Sequence, residues 1–153
     1  MREYMDGLYY ALLEGRFLFD FVHEDKLTPA DLAKLAACSA GVLCHPVDEP
    51  RKFGIAFRKP DGTLDRLVEK PDLDGRQLAN TGAYAFPRSV FEFPLTLSPR
   101  GEYEVTQYVS ELAKRQTVQV VEAGFWLPIG TEEVWQAAQK MDLQALLSRE
   151  SEV

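Results

Sequence analysis

The sequence predicts an α/β domain: a mixed, mostly parallel sheet with helices on its faces and one inserted β-hairpin. Three observations carry this. Short runs rich in β-branched and aromatic residues alternate with segments of helical period, the pattern of helices packed on a sheet. Pro60-Asp61-Gly62 separates two extended runs and reads as a hairpin turn. The 153 residues are 46% hydrophobic and 27% charged, as in ordinary globular domains. A chain of this length buries about 68–70% of its unfolded surface. Residues 1–147 are read as one domain and 148–153 as a frayed tail.

Each element has a local reason. Residues 4–13 form a short helix with Leu8, Leu12 and Leu13 on one side, ended by Gly15. Residues 17–22 (FLFDFV) read as a buried strand. Thr28-Pro29-Ala30-Asp31 starts a helix, with Thr at the N-cap, Pro at the first helical position and an acid in the first turn. That helix runs to about residue 39 and buries Leu32, Leu35 and Ala36. Residues 41–47 form a strand, broken by Asp48-Glu49-Pro50. Residues 52–57 and 63–69 are the hairpin arms, 78–86 the next strand, and Pro87-Arg88-Ser89-Val90-Phe91 a short helix. Residues 104–114 place Val105, Tyr108, Val109 and Leu112 at helical spacing. Residues 117–121 are a strand, and Thr131 caps a last helix that continues through Leu147.

Charge and composition exclude several classes. The net charge of −7 argues against nucleic-acid binding, which needs a basic face. An acidic chain that binds phosphate must do so through local Lys or Arg, backbone N–H groups or a divalent cation. No apolar run approaches the ~20 residues that span a bilayer. The start, Met1-Arg2-Glu3-Tyr4, has no apolar signal core, so a cytoplasmic protein is expected. Cys38 and Cys44 follow no metal or redox spacing and read as reduced thiols. His23 and His45 have no third ligand in view. No Ser–His–Asp or Cys–His arrangement stands out.

The densest chemistry lies between residues 68 and 86. Val68-Glu69-Lys70-Pro71 closes one strand, and Asn80-Thr81-Gly82-Ala83-Tyr84-Ala85-Phe86 forms the next. Glu69 can accept hydrogen bonds from sugar hydroxyls, and Lys70 can meet a phosphate as a compact charge. Pro71 stops the strand so that both side chains project at its end. Gly82 allows close approach of a ligand or another backbone. A solvated strand end is the alternative for Glu69 and Lys70, and local backbone need alone is the alternative for Gly54 and Gly82.

Seven motifs occur in one order: Met5-Asp6-Gly7-Leu8, Glu24-Asp25, Arg51-Lys52-Phe53-Gly54-Ile55, Val68–Pro71, Asn80–Tyr84, Arg100-Gly101-Glu102-Tyr103-Glu104-Val105-Thr106, and Phe125-Trp126-Leu127-Pro128-Ile129-Gly130-Thr131. This order resembles the sugar-1-phosphate nucleotidyltransferases, nearest to the glucose-1-phosphate thymidylyltransferases and uridylyltransferases, over about residues 5–145. The resemblance implies a nucleotide-diphospho-sugar transferase-like, Rossmann-like fold, truncated at its N-terminus. It implies a reaction in which a sugar 1-phosphate attacks the α-phosphorus of a nucleoside triphosphate with Mg²⁺, giving a nucleotide sugar and pyrophosphate.

Roles follow from the same resemblance. Asp6, Gly7 and Leu8 match a segment lying against the nucleobase. Asp25 matches a Mg²⁺ ligand, although Glu24 stands where Gly is usual; a lead-in to the Thr28 cap is its other reading. Gly54 matches backbone against the sugar, Glu69 the sugar-hydroxyl acceptor and Lys70 the sugar-phosphate contact. Tyr84 and Thr106 match positions near the sugar and its phosphate. Trp126 matches the tryptophan ahead of a second metal-binding aspartate, and its other reading is a core aromatic. Glu102 and Glu104 are also read as acids loading the first turn of the following helix.

Two departures limit the resemblance. The family's Gly-Gly-x-Gly-Thr-Arg-Leu loop, which cradles the triphosphate, does not occur in the 153 residues. Pro128 stands where the second aspartate is usual and offers no side-chain oxygen. Three expectations follow. The chain is the sugar-binding part of such an enzyme, inactive alone. Or it is a binding or regulatory module for a sugar phosphate or nucleotide sugar. Or it is a structural partner, as a homo-oligomer or beneath another chain that covers an open sheet edge.

Overall fold

The computed structural model describes residues 29–94, 96–98 and 101–141. The expected helix at 4–13, the strand at 17–22, and Asp6, Gly7, Leu8, His23 and Asp25 lie outside the described residues.

The first described element is α1, Pro29–Ala36. Asp31 in its first turn is buried, and its carboxylate accepts from the Gly124 backbone N–H at 3.1 Å. Leu35 is buried and Leu32 half-buried, but Ala36 is exposed, because it falls on the helix side turned from the sheet. Strand β1, Gly41–Val47, follows with the predicted bounds. A 3₁₀ turn at Pro50–Lys52 leads into β2, Gly54–Arg58, and the hairpin returns as β3, Leu64–Glu69. Asp61 holds the turn: its carboxylate accepts from the Thr63 N–H and hydroxyl. Those bonds, the hydroxyl's first, lower the Asp61 pKa.

Strand β4, Gln77–Ala85, comes next, then a 3₁₀ turn at Arg88–Glu92. Helix α2 spans Val105–Arg115, β5 Gln119–Glu122, and α3 Glu132–Ala138. Glu104 occupies the N-cap of α2 with an extended backbone, and the first turn itself holds no acid, so neither Glu102 nor Glu104 loads it. Helix α3 starts where predicted, with the Thr131 hydroxyl accepting from Val134 N–H at 3.4 Å. It stops at Ala138 rather than continuing, and none of its residues is buried, so little tertiary packing extends it.

The strands order β3-β2-β4-β1-β5. The sheet is mixed, as expected, but not mostly parallel among the described residues: only the β1–β5 pairing is parallel, and β1–β4, β2–β3 and β2–β4 are antiparallel. The connections explain this. Residues 59–63 turn β2 back into β3 as a hairpin, a link too short for the crossover that parallel neighbours require, and 70–76 carry the chain past β2 to set β4 antiparallel on its other side.

Both faces are covered. On one, α2 lays Val109, Leu112 and Ala113 against Val42, Cys44, Ala56, Leu64 and Leu67. On the other, Leu35 of α1 meets Leu43, Ala83 and Ala123. Each fully buried Leu or Val contributes about 1.5–3 kcal/mol relative to exposure. Among the described residues no helix is long and apolar enough to cross a membrane.

Candidate functional site

Gly54 opens β2, Glu69 closes β3, and the hairpin register sets the two opposite each other. Glu69 shares its face with Leu67, two residues earlier in the strand, which belongs to the α2-side core. Thr106, buried in the first turn of α2, comes over the same point. Asn80 arrives from β4 as the register partner of Cys44, another residue of that core. The convergence is measured by what Gly54 lacks. A Cβ there would lie 2.8 Å from Glu69 Oε2, 3.2 Å from Thr106 Cγ2 and 3.7 Å from Asn80 Nδ2. A carboxylate, a methyl and an amide therefore close on bare backbone, and only glycine leaves them room.

A bulge in β4 shapes the other side. Between the pairs Val42↔Tyr84 and Cys44↔Asn80, β1 advances two residues while β4 advances four. The extra chain holds Gly82 at φ 90°, a conformation that favours glycine. The Gly82 N–H donates to Asn80 Oδ1 at 2.9 Å, and the Thr81 hydroxyl donates to the Leu43 carbonyl at 3.0 Å. The Asn80 amide donates to the Tyr84 hydroxyl. Tyr84 stacks on Phe86 with ring centroids 4.9 Å apart. Tyr84 thus joins the group through Asn80.

Lys70 adjoins the group by position. Its N–H donates to the Phe53 carbonyl at 2.9 Å, extending the hairpin by one rung. Its φ is 44°, the one positive value on a non-glycine residue among those described. The side chain is exposed, and among the described residues nothing pairs with its ammonium. Nearby Arg51 is held by Asp72 at 2.9 Å and Asp74 at 3.2 Å, which ties down the loop after Pro71. Those partners are largely exposed, so the clamp contributes at most about 1 kcal/mol.

Between β3 and α2 a groove of about 420 Å³ opens, with Glu69 and Thr106 in its wall beside Leu67, Ser98 and Ser110. That volume is within the range of small-ligand clefts.

On the opposite face Trp126 packs edge-on against Phe53, at 5.1 Å between centroids, and against His45 at 6.3 Å. Trp126 also abuts the Leu35–Leu43 core, as its core reading anticipated. His45 Nδ1 lies 3.0 Å from the Ala123 carbonyl, a structural contact. The chain then runs through Leu127-Pro128-Ile129-Gly130 to the Thr131 cap. This stretch offers no carboxylate, and among the described residues no group of three or more His, Cys, Asp or Glu is arranged to hold a metal. Asp25, the expected Mg²⁺ ligand, lies outside the described residues, and Pro128 brings no side-chain oxygen to a metal.

The structure thus brings Gly54, Glu69, Thr106 and Tyr84 together and sets Lys70 at their edge. Sequence reasoning passed over Asn80 as a site residue, although Asn80-Thr81-Gly82 carried the signal: an Asn two residues before a strand glycine marks a bulge. The thiols are both free, with Cys38 half-buried and Cys44 buried. Burial, and next the charge of Glu122, push the Cys44 pKa up to about 12.

Comparison with known proteins gives the family of the chain. The nucleotidyl transferase family model matches residues 7–144. A bifunctional GlmU protein of Methanococcus aeolicus is 30% identical over 141 residues, covering 82% of this chain and 33% of the relative. A glucose-1-phosphate thymidylyltransferase of Streptomyces griseus is 34% identical over 101 residues, covering 63% of this chain and 28% of the relative. The solved UDP-glucose pyrophosphorylase with UDP-glucose superposes with a TM-score of 0.59 at 22% identity, over 77% of this chain and 47% of that one. This last likeness is one of fold. The chain spans about a third or less of the length of the first curated relatives it matches. On the family match over nearly its whole length, the chain belongs to the nucleotidyl transferase family, in the company of sugar-1-phosphate nucleotidylyltransferases.

Proposed function

We propose that the group around Gly54 is the sugar-1-phosphate side of a nucleotide-sugar-forming site, of the dTDP- or UDP-glucose type. In this reading the Glu69 carboxylate and the Asn80 amide meet sugar hydroxyls above the bare Gly54 backbone. Tyr84 holds Asn80 in place, Thr106 walls the sugar, and the Lys70 ammonium meets the phosphate. Carboxylate–hydroxyl and ammonium–phosphate bonds are charge-assisted and contribute about 1.5–3 kcal/mol each. The observation that carries the reading is the approach of Glu69, Thr106 and Asn80 to one point over Gly54.

The 153 residues carry only part of what the nucleotide side would need. No Gly-rich triphosphate loop occurs in them, and Pro128 lacks the oxygen a second metal ligand would bring. The chain alone is therefore expected to bind glucose 1-phosphate and to form no nucleotide sugar. Pyrophosphate release from glucose 1-phosphate with dTTP or UTP and Mg²⁺ tests this, and clear product formation would contradict it. Absence of any heat with glucose 1-phosphate in calorimetry would remove the site itself.

Pro128 favours a second reading, a binding or regulatory module for a nucleotide sugar. Calorimetry with UDP- and dTDP-glucose separates the two: heat with the nucleotide sugars and none with glucose 1-phosphate supports the module. The oligomer, or a partner chain over an open sheet edge, is checked by light scattering at micromolar concentration, where a monomer mass contradicts a homo-oligomer.

A further inference from the structure

β3 is an edge strand among the described residues, so its outer backbone groups have no strand to bond. At Leu67 a side chain takes that place. Ser110 Oγ, on α2, accepts from the Leu67 N–H at 2.9 Å and lies 3.1 Å from the Leu67 carbonyl and 2.8 Å from the Thr106 carbonyl, donating its proton to one of them. One hydroxyl therefore bonds to helix and strand together.

The spacing gives this bond its consequence. Leu67 stands two residues before Glu69 on the same face of β3, and Ser110 stands one helical turn after Thr106 on the same side of α2. The Ser110 bond thus ties the helix to the strand one step below the site. A slide of α2 along β3 would break it and carry Thr106 away from Glu69. The apolar contacts of Leu112 and Val109 hold α2 down, but they are non-directional and resist sliding weakly. A hydrogen bond of defined geometry resists it directly.

We propose that Ser110 is a positioning residue, whose hydroxyl sets the register of α2 on β3 and so holds Thr106 against the Glu69 carboxylate. As a sugar-phosphate device this rests on the function proposed above; as a register lock it stands without it.

The test uses the full chain with three substitutions. Ser110→Ala removes the hydroxyl. Ser110→Thr keeps it, and a helical threonine readily bonds the carbonyl four residues earlier. Thr131→Ala removes a cap remote from the site and serves as the stability control. The binding-independent readout is the nuclear Overhauser contact between the Thr106 methyl and the Gly54 α protons, groups close together here. It is expected to be strong in wild type, Ser110→Thr and Thr131→Ala, and weakened several-fold in Ser110→Ala. Glucose 1-phosphate affinity is expected to fall about fivefold or more in Ser110→Ala, to recover in Ser110→Thr, and to be unchanged in Thr131→Ala. A merely structural Ser110 would lower the melting temperature but leave contact and affinity alone. An undiminished contact in Ser110→Ala overturns the register lock. Wild type that shows the contact but binds no glucose 1-phosphate overturns the function proposed above and leaves the lock standing. If Ser110→Ala is unfolded, Ser110→Cys replaces it, with its longer and weaker sulfur partner, and the same loss of contact is expected.

Discussion

On one face of the sheet, Gly54, Glu69, Asn80 and Thr106 close on a single point, with Tyr84 holding Asn80. On the other, Trp126 packs against Phe53 and His45 and leads into a segment with Pro128 at its centre. The two regions meet at Phe53-Gly54, yet their chemistry differs. The first is polar side chains gathered around bare backbone, an arrangement that gives the core nothing an alanine would not. The second is aromatic packing that a core wants for its own sake. A family relationship covers both regions, but among the described residues polar side chains gather over bare backbone in the first and not in the second. Membership in a family is thus a statement about the chain, whereas chemistry has to be argued for each region separately.

The largest effect that sharpens this contrast is expected at Gly54. In Gly54→Ala the new methyl would push the Glu69 carboxylate from its 2.8 Å contact and crowd Thr106 at 3.2 Å. Because the nearer neighbour is the tip of a flexible side chain, the stability cost is modest, about 1 kcal/mol. Glucose 1-phosphate affinity is expected to drop more than tenfold by calorimetry. Equal affinities in the two proteins would show that the gap over Gly54 is packing alone.

Lys70 separates function from stability more sharply, at a smaller scale. Left-handed backbone on a non-glycine residue costs about 1–2 kcal/mol, and such strain collects at functional positions. Lys70→Gly relieves it at φ 44° while enlarging the freedom of the unfolded chain. The variant is expected to melt within about 2 °C of wild type or above it, and to lose about tenfold in glucose 1-phosphate affinity. A variant that melts lower and binds equally well would make Lys70 a turn residue only.

Much of this was legible in the sequence. The bounds of β1, the hairpin around Asp61-Gly62 and the Thr131 cap followed from local chemistry, because a proline, a turn aspartate or a capping hydroxyl acts within a few residues. That Gly54, Glu69, Thr106 and Tyr84 lie near one another was legible through motif order. What escaped reading depends on chain that is distant in sequence. The antiparallel sheet follows from strand neighbours, which periodicity does not reveal. Asn80 reaches the Gly54 group from a bulge against β1. Ser110 matters through an edge strand 43 residues away, and no local pattern marks a helix serine as a register lock. Ala36 was over-read because it falls on the side of α1 turned from the sheet, and α1 and α3 end at Ala36 and Ala138, short of the expected residues 39 and 147, because helical spacing ran past the packed segment.

Outside the polar group itself the expected effects on binding are small. Cys44 pairs in register with Asn80 and belongs to the α2-side core on the face of the site. Buried, with its pKa raised from 9.0 to about 12, it is expected to resist iodoacetamide at pH 8 while half-buried Cys38 is labelled first. Its thiol stays protonated in the folded chain where the unfolded chain has lost the proton. The stability this contributes is therefore complete below about pH 9 and is lost as pH rises towards 12. Rapid labelling of Cys44 in the folded protein would mean that this core opens. Pro128→Asp is expected to leave glucose 1-phosphate affinity within twofold, because the segment does not join the Gly54 group. Thr131→Ala removes the cap of α3 and costs about 1 kcal/mol by thermal melting, again without touching binding.

The most direct measurement is calorimetric titration of the full chain with glucose 1-phosphate, in wild type and in Glu69→Ala. The account predicts a saturable heat in wild type and at least a tenfold weaker affinity in Glu69→Ala, with both proteins folded by circular dichroism. No heat in wild type, or the same affinity in both, would contradict it.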